Sequence, residues 1–443
     1  MNEKRRGADP AVEKVLQSAE RAGLSTVWER SDAMEPRCGF GELGICCRLC
    51  YMGPCRIDPF GDGPQTGVCG ATADVIAARN FARMIAGGVA AHSDHGRDVA
   101  RALLAAVENP KAGYQVKDTA KLLVTAERFG IATKGRSTQE IAKSVAEAAL
   151  AEFGRQDGEL RFLRRAPAAR HEVWKRLGCL PRGIDREVVE LMHRTTMGVD
   201  QDASNIMLQG SRAALSDGWG GSIIATELQD ILFGTPSPIR GQVNLGVLSG
   251  TKVNIVVHGH EPVLSEMLVL ASQDKELLDL AKSKGAEGIS LAGICCTANE
   301  ILLRHGIPIA GNFLQQEMAV ATGAVDAMIV DVQCVMASLR DVCKSFHTAL
   351  ITTSPKARME GVQFIPFSEE DALEAARKIV RAAILNFPNR GHIEVPDERV
   401  DLIAGFSHEA IIYMLGGKFR GSYGPLNDNI INGRIKGVAG VVG

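Results

Sequence analysis

The sequence predicts a mixed α and α/β protein: an N-terminal helical domain, then a Rossmann-like parallel α/β domain and the start of a second one. Three observations predict it. Apolar residues recur at three-to-four spacing from Ala71 to about Glu152, and helical stretches follow through 170–235. After Gly241 short β-prone apolar runs alternate with helical segments. The chain has 443 residues, too many for one ordinary core. These place domains at 1–238, 239–390 and 391–443.

In chain order, residues 8–30 read as an amphipathic helix leading into a Gly- and Pro-rich cysteine loop at 37–70. Ala71–Gly88 reads as one helix that starts beside Cys69. Breaks are expected at Pro181-Arg-Gly183 and Thr235-Pro-Ser-Pro238. Val253–Val257, Gly288–Ile294, Met328–Val332 and Val362–Pro366 read as strands, with Pro262–Lys284 and Thr297–His305 helical between them. Such alternation builds a parallel, doubly wound sheet, whose ligands sit beyond the carboxyl ends of the strands. His258-Gly-His260, Cys295-Cys296 and Cys334 stand at three of those ends. Val400–Gly416 reads as a helix and Ile435–Val442 as a buried strand. A domain that ends on its first strand cannot close a core, so the chain reads as truncated.

Composition narrows the function by exclusion. A net charge of -2 with 5% aromatic residues argues against a nucleic-acid partner. The charged N-terminus has no apolar signal core, and no apolar run reaches membrane length, so a cytoplasmic protein without a transmembrane segment is expected. In that reducing compartment clustered cysteines are metal ligands or redox groups more often than disulfides.

Six of the eleven cysteines fall at Cys38, Cys46, Cys47, Cys50, Cys55 and Cys69. The last four are enough for one 4Fe–4S cluster. Cys38 and Cys46 remain as a pair, which a two-fold symmetric dimer would complete from the neighbouring chain. On spacing alone, structural zinc stays open for these thiolates. The strand-end group His260, Cys295, Cys296 and Cys334 mixes imidazole and thiolate, a donor set that tunes a cluster and leaves a metal position open to substrate. Adjacent cysteines rarely both bind one centre in the same state, so one of Cys295 and Cys296 reads as an alternative ligand. Cys179 and Cys343 have no such context. His92 and His95, three apart, share a helix face, and titration near neutral pH suits them to a proton relay; two surface histidines are the plain alternative.

Together these segments resemble the anaerobic nickel–iron carbon monoxide dehydrogenases. The likeness is carried by CGFGELGICCRLCYMGPCRIDPFGDGPQTGVCGATAD, AAHSDHGR, LPRGIDREVVELMHRTTMGVDQD, HGHEPVLSE, GICCTANE, VDVQC and ITTSPKA. The resemblance implies reversible oxidation of CO with water to CO2, two protons and two electrons. It implies that Cys38 and Cys46 hold a cluster shared across a homodimer, and that Cys47, Cys50, Cys55 and Cys69 hold a 4Fe–4S relay cluster. It assigns His260, Cys296 and Cys334 to a Ni–4Fe–4S active-site cluster, with Cys295 as a possible alternative ligand, and gives His92 and His95 the bound oxygens and the protons. A ferredoxin-like electron acceptor is implied, and association with an acetyl-CoA synthase subunit is open.

Two departures from the family pattern stand out. Its histidine ladder continues one helical step further, where this chain has Asp98. Its run matching GVAGVVG leads into a ligating cysteine, two further cluster cysteines and a catalytic lysine. The resemblance therefore implies that the active-site ligand set is incomplete at Gly443; a UGA codon for selenocysteine read as a stop, a frameshift or a fragment would each end the chain there. Two rival functions are kept: a hybrid-cluster (hydroxylamine reductase-like) enzyme, and a non-catalytic iron–sulfur electron-transfer protein.

Overall fold

The computed structural model describes residues 9–109, 112–416 and 424–437. The first helix, Pro10–Arg21, is capped by Asp9, whose side chain accepts the Ala11 N–H at 2.9 Å. It ends before Gly23, which takes the left-handed conformation at φ +67°. A capping box of Thr26 and Glu29 then opens a second helix, Val27–Asp32. The single helix expected over 8–30 is therefore two, because the Gly23 turn and the second cap interrupt the amphipathic pattern.

The cysteine loop carries a short antiparallel ladder of β1 (Cys46–Cys47) and β2 (Cys55–Arg56). Beyond it, Thr72 caps a 36-residue helix, Ala73–Glu108. This helix runs twenty residues past the expected end at Gly88, as Gly87 and Gly88 face open space and break no packing. It packs against the helices Thr138–Gly154, Ala203–Ser216 and Ser222–Phe233. The last two are joined by a π-helical turn, Asp217–Gly221.

The remaining strands are β3 (Ile239–Val243), β4 (Val253–His258), β5 (Ile289–Ile294), β6 (Ile309–Gly311), β7 (Val325–Val330), β8 (Ala349–Thr352), β9 (Gln363–Phe364) and β10 (Val400–Ala404). They form one sheet in the order β10-β3-β6-β5-β4-β7-β8-β9, parallel except where β10 meets β3. From β6 to β9 this is the doubly wound order, and the strand order reverses between β4 and β7.

Residues 400–404 are thus a strand rather than the start of a helix. Leu402 pairs with Gly241 of β3, which offers a free edge, and the helix is confined to His408–Leu415 behind the Ser407 cap. The strand expected over Met328–Val332 ends at Val330, leaving Asp331 and Val332 in the following turn. Of the strand expected over Ile435–Val442, residues 435–437 are irregular and 438–442 lie outside the described residues.

β4 is buried on both faces. Val253, Ile255 and Val257 join a core with Met267 and Ile379, while Val256 joins Ile294, Met328, Val330 and, from the first helix, Val12 and Val15. Each such side chain contributes about 1.5–3 kcal/mol of apolar burial, which anchors the strand ends that follow. A third core of Ile45, Ile57, Val75, Ile76, Leu191 and Ile206 seats the cysteine loop on the long helix.

Candidate metal centres

In the loop, the β1–β2 ladder sets Cys47 opposite Cys55. Asn80 of the long helix braces the ladder, donating through Nδ2 to the carbonyls of Gly44 at 2.7 Å and Cys46 at 3.0 Å. Cys69 arrives just before the helix begins. Cys47, Cys50, Cys55 and Cys69 line one small cavity together with Leu49, Ile76 and Arg79. Cys38 and Cys46 are not among its lining residues, and Cys38 is exposed. The Val68 N–H points at Cys55 Sγ at 3.5 Å, a donor for a sulfur that carries negative charge. Among the described residues no three His, Cys, Asp or Glu side chains converge on a point that could hold a single metal ion. Four thiolates spread around a cavity fit a polynuclear cluster better than one zinc ion, whose four ligands converge on one tetrahedral point.

The second centre is set by strand register. His258 at the end of β4 pairs with Ile294 of β5 and with Val330 of β7. The three strands stop level, so His260, Cys295-Cys296 and Cys334 emerge at one sheet edge, beside the β4/β7 reversal. Their backbones are unusual. Cys295 has φ +62° and ψ -144°, and Gln333 and Cys334 have φ +65° and +58°. A side chain in this region costs on the order of 1–3 kcal/mol, a cost that points to function rather than packing.

The thiols are coupled. A hydrogen bond from Cys295 lowers the Cys334 pKa to about 6, and the same bond raises that of Cys295. Burial, then the nearby Glu300 carboxylate, pushes the Cys296 thiol up to about 12. His260 is buried, its Nδ1 without a hydrogen-bond partner among the described residues, and that burial, with His95 close by, lowers its pKa. A neutral imidazole with an unused ring nitrogen beside three thiols is a ready donor set for soft or borderline metals.

Asp331 holds this turn. It accepts the main-chain N–H groups of His260 at 2.6 Å, Glu261 at 3.0 Å and also Val332. Gly259, at φ +147°, makes this possible, since a Cβ there would lie 1.8 Å from Asp331 Oδ1.

His92 and His95 both project from the long helix into a cavity also lined by His260 and Cys296. His92 Nδ1 lies 2.9 Å from Asp217 Oδ2, a hydrogen bond that raises the His92 pKa. His95 Nε2 lies 2.9 Å from Gln229 Nε2 and 3.3 Å from Glu300 Oε2. Its ring meets that of His260 edge to face, with centroids 5.6 Å apart. Asp98 is in an ion pair: Lys356 Nζ donates to Asp98 at 2.9 Å and to Asp94 at 2.6 Å.

Asp217, Gln229, Glu300, Asp331 and Lys356 also shape the site, and the sequence analysis above assigns them no role. Glu300 carried a usable signal, four residues beyond Cys296 on the same short helix. The others come from distant segments, and only the fold brings them here.

The Prismane/CO dehydrogenase family matches residues 45–443. Carbon monoxide dehydrogenase 1 of Methanosarcina mazei is 56% identical over 437 residues, which cover 98% of this chain and 69% of that protein. The as-isolated Ni-free carbon monoxide dehydrogenase of Thermococcus sp. AM4 superposes with a TM-score of 0.93 at 49% identity, over 99% of this chain and 70% of that one. An acetyl-CoA synthase/carbon monoxide dehydrogenase with NiZn[Fe4S4] and NiNi[Fe4S4] clusters in its alpha subunits superposes with a TM-score of 0.93 at 41% identity, over 98% of this chain and 65% of that one. Alike in sequence over nearly its whole length and alike in fold, the chain belongs to the Prismane/CO dehydrogenase family.

Proposed function

We propose that this protein reversibly oxidises CO with water to CO2, two protons and two electrons at a Ni–4Fe–4S cluster, with electrons leaving through 4Fe–4S clusters. The observation that carries the reading is the meeting of His260, Cys296 and Cys334 at one sheet edge, where His260 and Cys296 share a cavity with His92 and His95. His260, Cys296 and Cys334 would supply part of the ligand set of that cluster, and Cys295, hydrogen-bonded to Cys334, would be the reserve donor. When bound, the cluster supplies CO activation and a nucleophile generated from water.

The protein's own residues manage the protons. Asp217 fixes Nδ1 of His92 and leaves its Nε2 to exchange a proton with the cavity. Gln229 and Glu300 fix the His95 ring against His260. Asp94, Asp98 and Lys356 line the adjoining cavity with His95 and His260 and give protons a polar way out.

Cys47, Cys50, Cys55 and Cys69 would hold the relay cluster. Cys38 and Cys46 would hold half of a cluster shared with a second copy of the chain. Exposed apolar side chains on the same loop, Leu43, Tyr51, Met52, Phe60 and Val68, suit burial in such a homodimer. A ferredoxin-like acceptor, a cytoplasmic setting and association with an acetyl-CoA synthase subunit complete the reading. Among the described residues no helix is long and apolar enough to cross a membrane.

The rival reading is hydroxylamine reduction at a hybrid cluster. Protein purified without oxygen from its native source should reduce a viologen dye with CO as donor, and His260→Ala should abolish this. Hydroxylamine reduction without CO oxidation would overturn the proposal in favour of the rival.

A further inference from the structure

Arg79 is a buried cation facing the four-cysteine cavity, with no carboxylate paired to it among the described residues. The side chain is 1% exposed. Its Nη2 donates to the main-chain carbonyl of Asp200 at 3.4 Å and to Gln201 Oε1 at 3.0 Å, both neutral acceptors. Nε and Nη1 are buried and have no hydrogen-bond partner among the described residues. The other walls near it are apolar, with Leu49, Ala71, Ile76 and Met197 lining the same cavity. A buried, unpaired guanidinium is strongly disfavoured unless an anion stands opposite it, and among the described residues lining this cavity the four cysteines are the groups that can carry negative charge or hold an anion.

We propose that Arg79 is a positioning residue that raises the reduction potential of the relay cluster held by Cys47, Cys50, Cys55 and Cys69. This rests on the reading of those four cysteines as its ligands. A 4Fe–4S cluster with four thiolates is anionic, and uptake of one electron makes it more anionic by one charge. A fixed cation stabilises the reduced form more than the oxidised one, and unused N–H groups aimed at sulfur act in the same direction. Arg79 thereby tunes the cluster to accept electrons, without touching the reacting carbon.

The test is an EPR-monitored redox titration of anaerobically prepared holoenzyme, with iron and sulfide assayed in each sample. Arg79→Gln keeps a hydrogen-bond donor and removes the charge, while Arg79→Lys keeps the charge. The expected result is an unchanged iron content, with the Gln variant shifted about tenfold towards the oxidised cluster, equivalent to about 59 mV for one electron, and the Lys variant close to wild type. An unchanged potential in Arg79→Gln, or an equal fall in Arg79→Lys, would overturn the proposal. Should the Gln variant lose its cluster, wild-type protein carrying guanidino-15N arginine decides the matter. Pulsed EPR of its reduced relay cluster should show a 15N coupling, and no coupling overturns the role of Arg79. Cys50→Ala, which leaves no donor atom at the position, separates the two claims. If that variant keeps its iron, sulfide and relay EPR signal, the ligand reading has failed; if it loses them while Arg79→Gln changes nothing, only the role of Arg79 has failed.

Discussion

Gly96 of the long helix and Gly221 of the π turn meet backbone to backbone. A Cβ on Gly96 would lie 2.5 Å from the Gly221 carbonyl oxygen, and one on Gly221 would lie 2.9 Å from Ser93 Cα. This close approach seats the π turn against the helix and brings Asp217 to His92. π-bulges of this kind recur at functional sites.

Gly96→Ala should therefore push the turn away. Overpacking of this kind costs about 1–3 kcal/mol, readable as a lower denaturant midpoint. The same variant should lose the His92–Asp217 hydrogen bond, seen as a change in the imidazole NMR signals of His92. Substitution at Gly87, which faces open space, should leave those signals in place.

The pH behaviour of His92 follows from Asp217. The carboxylate raises the His92 pKa above 6.5, so the ring stays protonated to higher pH than an ordinary histidine. The pair's contribution to stability is present below 6.5 and is lost as pH rises through the folded-state value. A ring that must be neutral to take up a proton is then available only above that value. Asp217→Asn should lower the His92 pKa and move the acid limb of CO oxidation to lower pH. NMR titration of His92 checks the first effect and a pH–rate profile the second.

Asp331 is the residue on which the position of His260 depends. Replacing it with alanine removes the acceptor of the buried His260 N–H and of the part-buried Glu261 and Val332 N–H groups, at about 1–3 kcal/mol for a buried one left unsatisfied. Asp331→Ala should lower stability by about 1–3 kcal/mol or more and reduce metal bound at the strand-end site. Chemical denaturation and metal analysis of the same preparation measure both.

The two sets of loop cysteines should separate experimentally. Cys50→Ala should remove about four irons per chain, the content of one 4Fe–4S cluster. Cys38→Ser should spare those four, lose the shared cluster and weaken the dimer. Iron assay and light scattering report the two effects.

Much of this was legible in the sequence, for physical reasons. β4, β5 and β7 are buried on both faces, so they read as short continuous apolar runs, and the ligand candidates stand immediately after them. The grouping of Cys47, Cys50, Cys55 and Cys69 around one cavity agrees with their spacing. β3 (IRGQV) and β10 (VDLIA) were missed because their antiparallel pairing with each other, rather than a local apolar pattern, makes them strands. The level ends of β4, β5 and β7 depend on register, which no single segment encodes. Asp217, Asp331 and Arg79 reach their sites through the π turn, the β7 turn and the long helix, and their roles exist only in three dimensions.

X-ray anomalous diffraction at the iron and nickel edges, from anaerobically grown crystals, would locate the metals. Iron density is expected in the cavity bounded by Cys47, Cys50, Cys55 and Cys69, and both iron and nickel density at the edge formed by His260, Cys296 and Cys334. Zinc density alone at the loop cysteines, or no metal beside His260, would contradict that expectation.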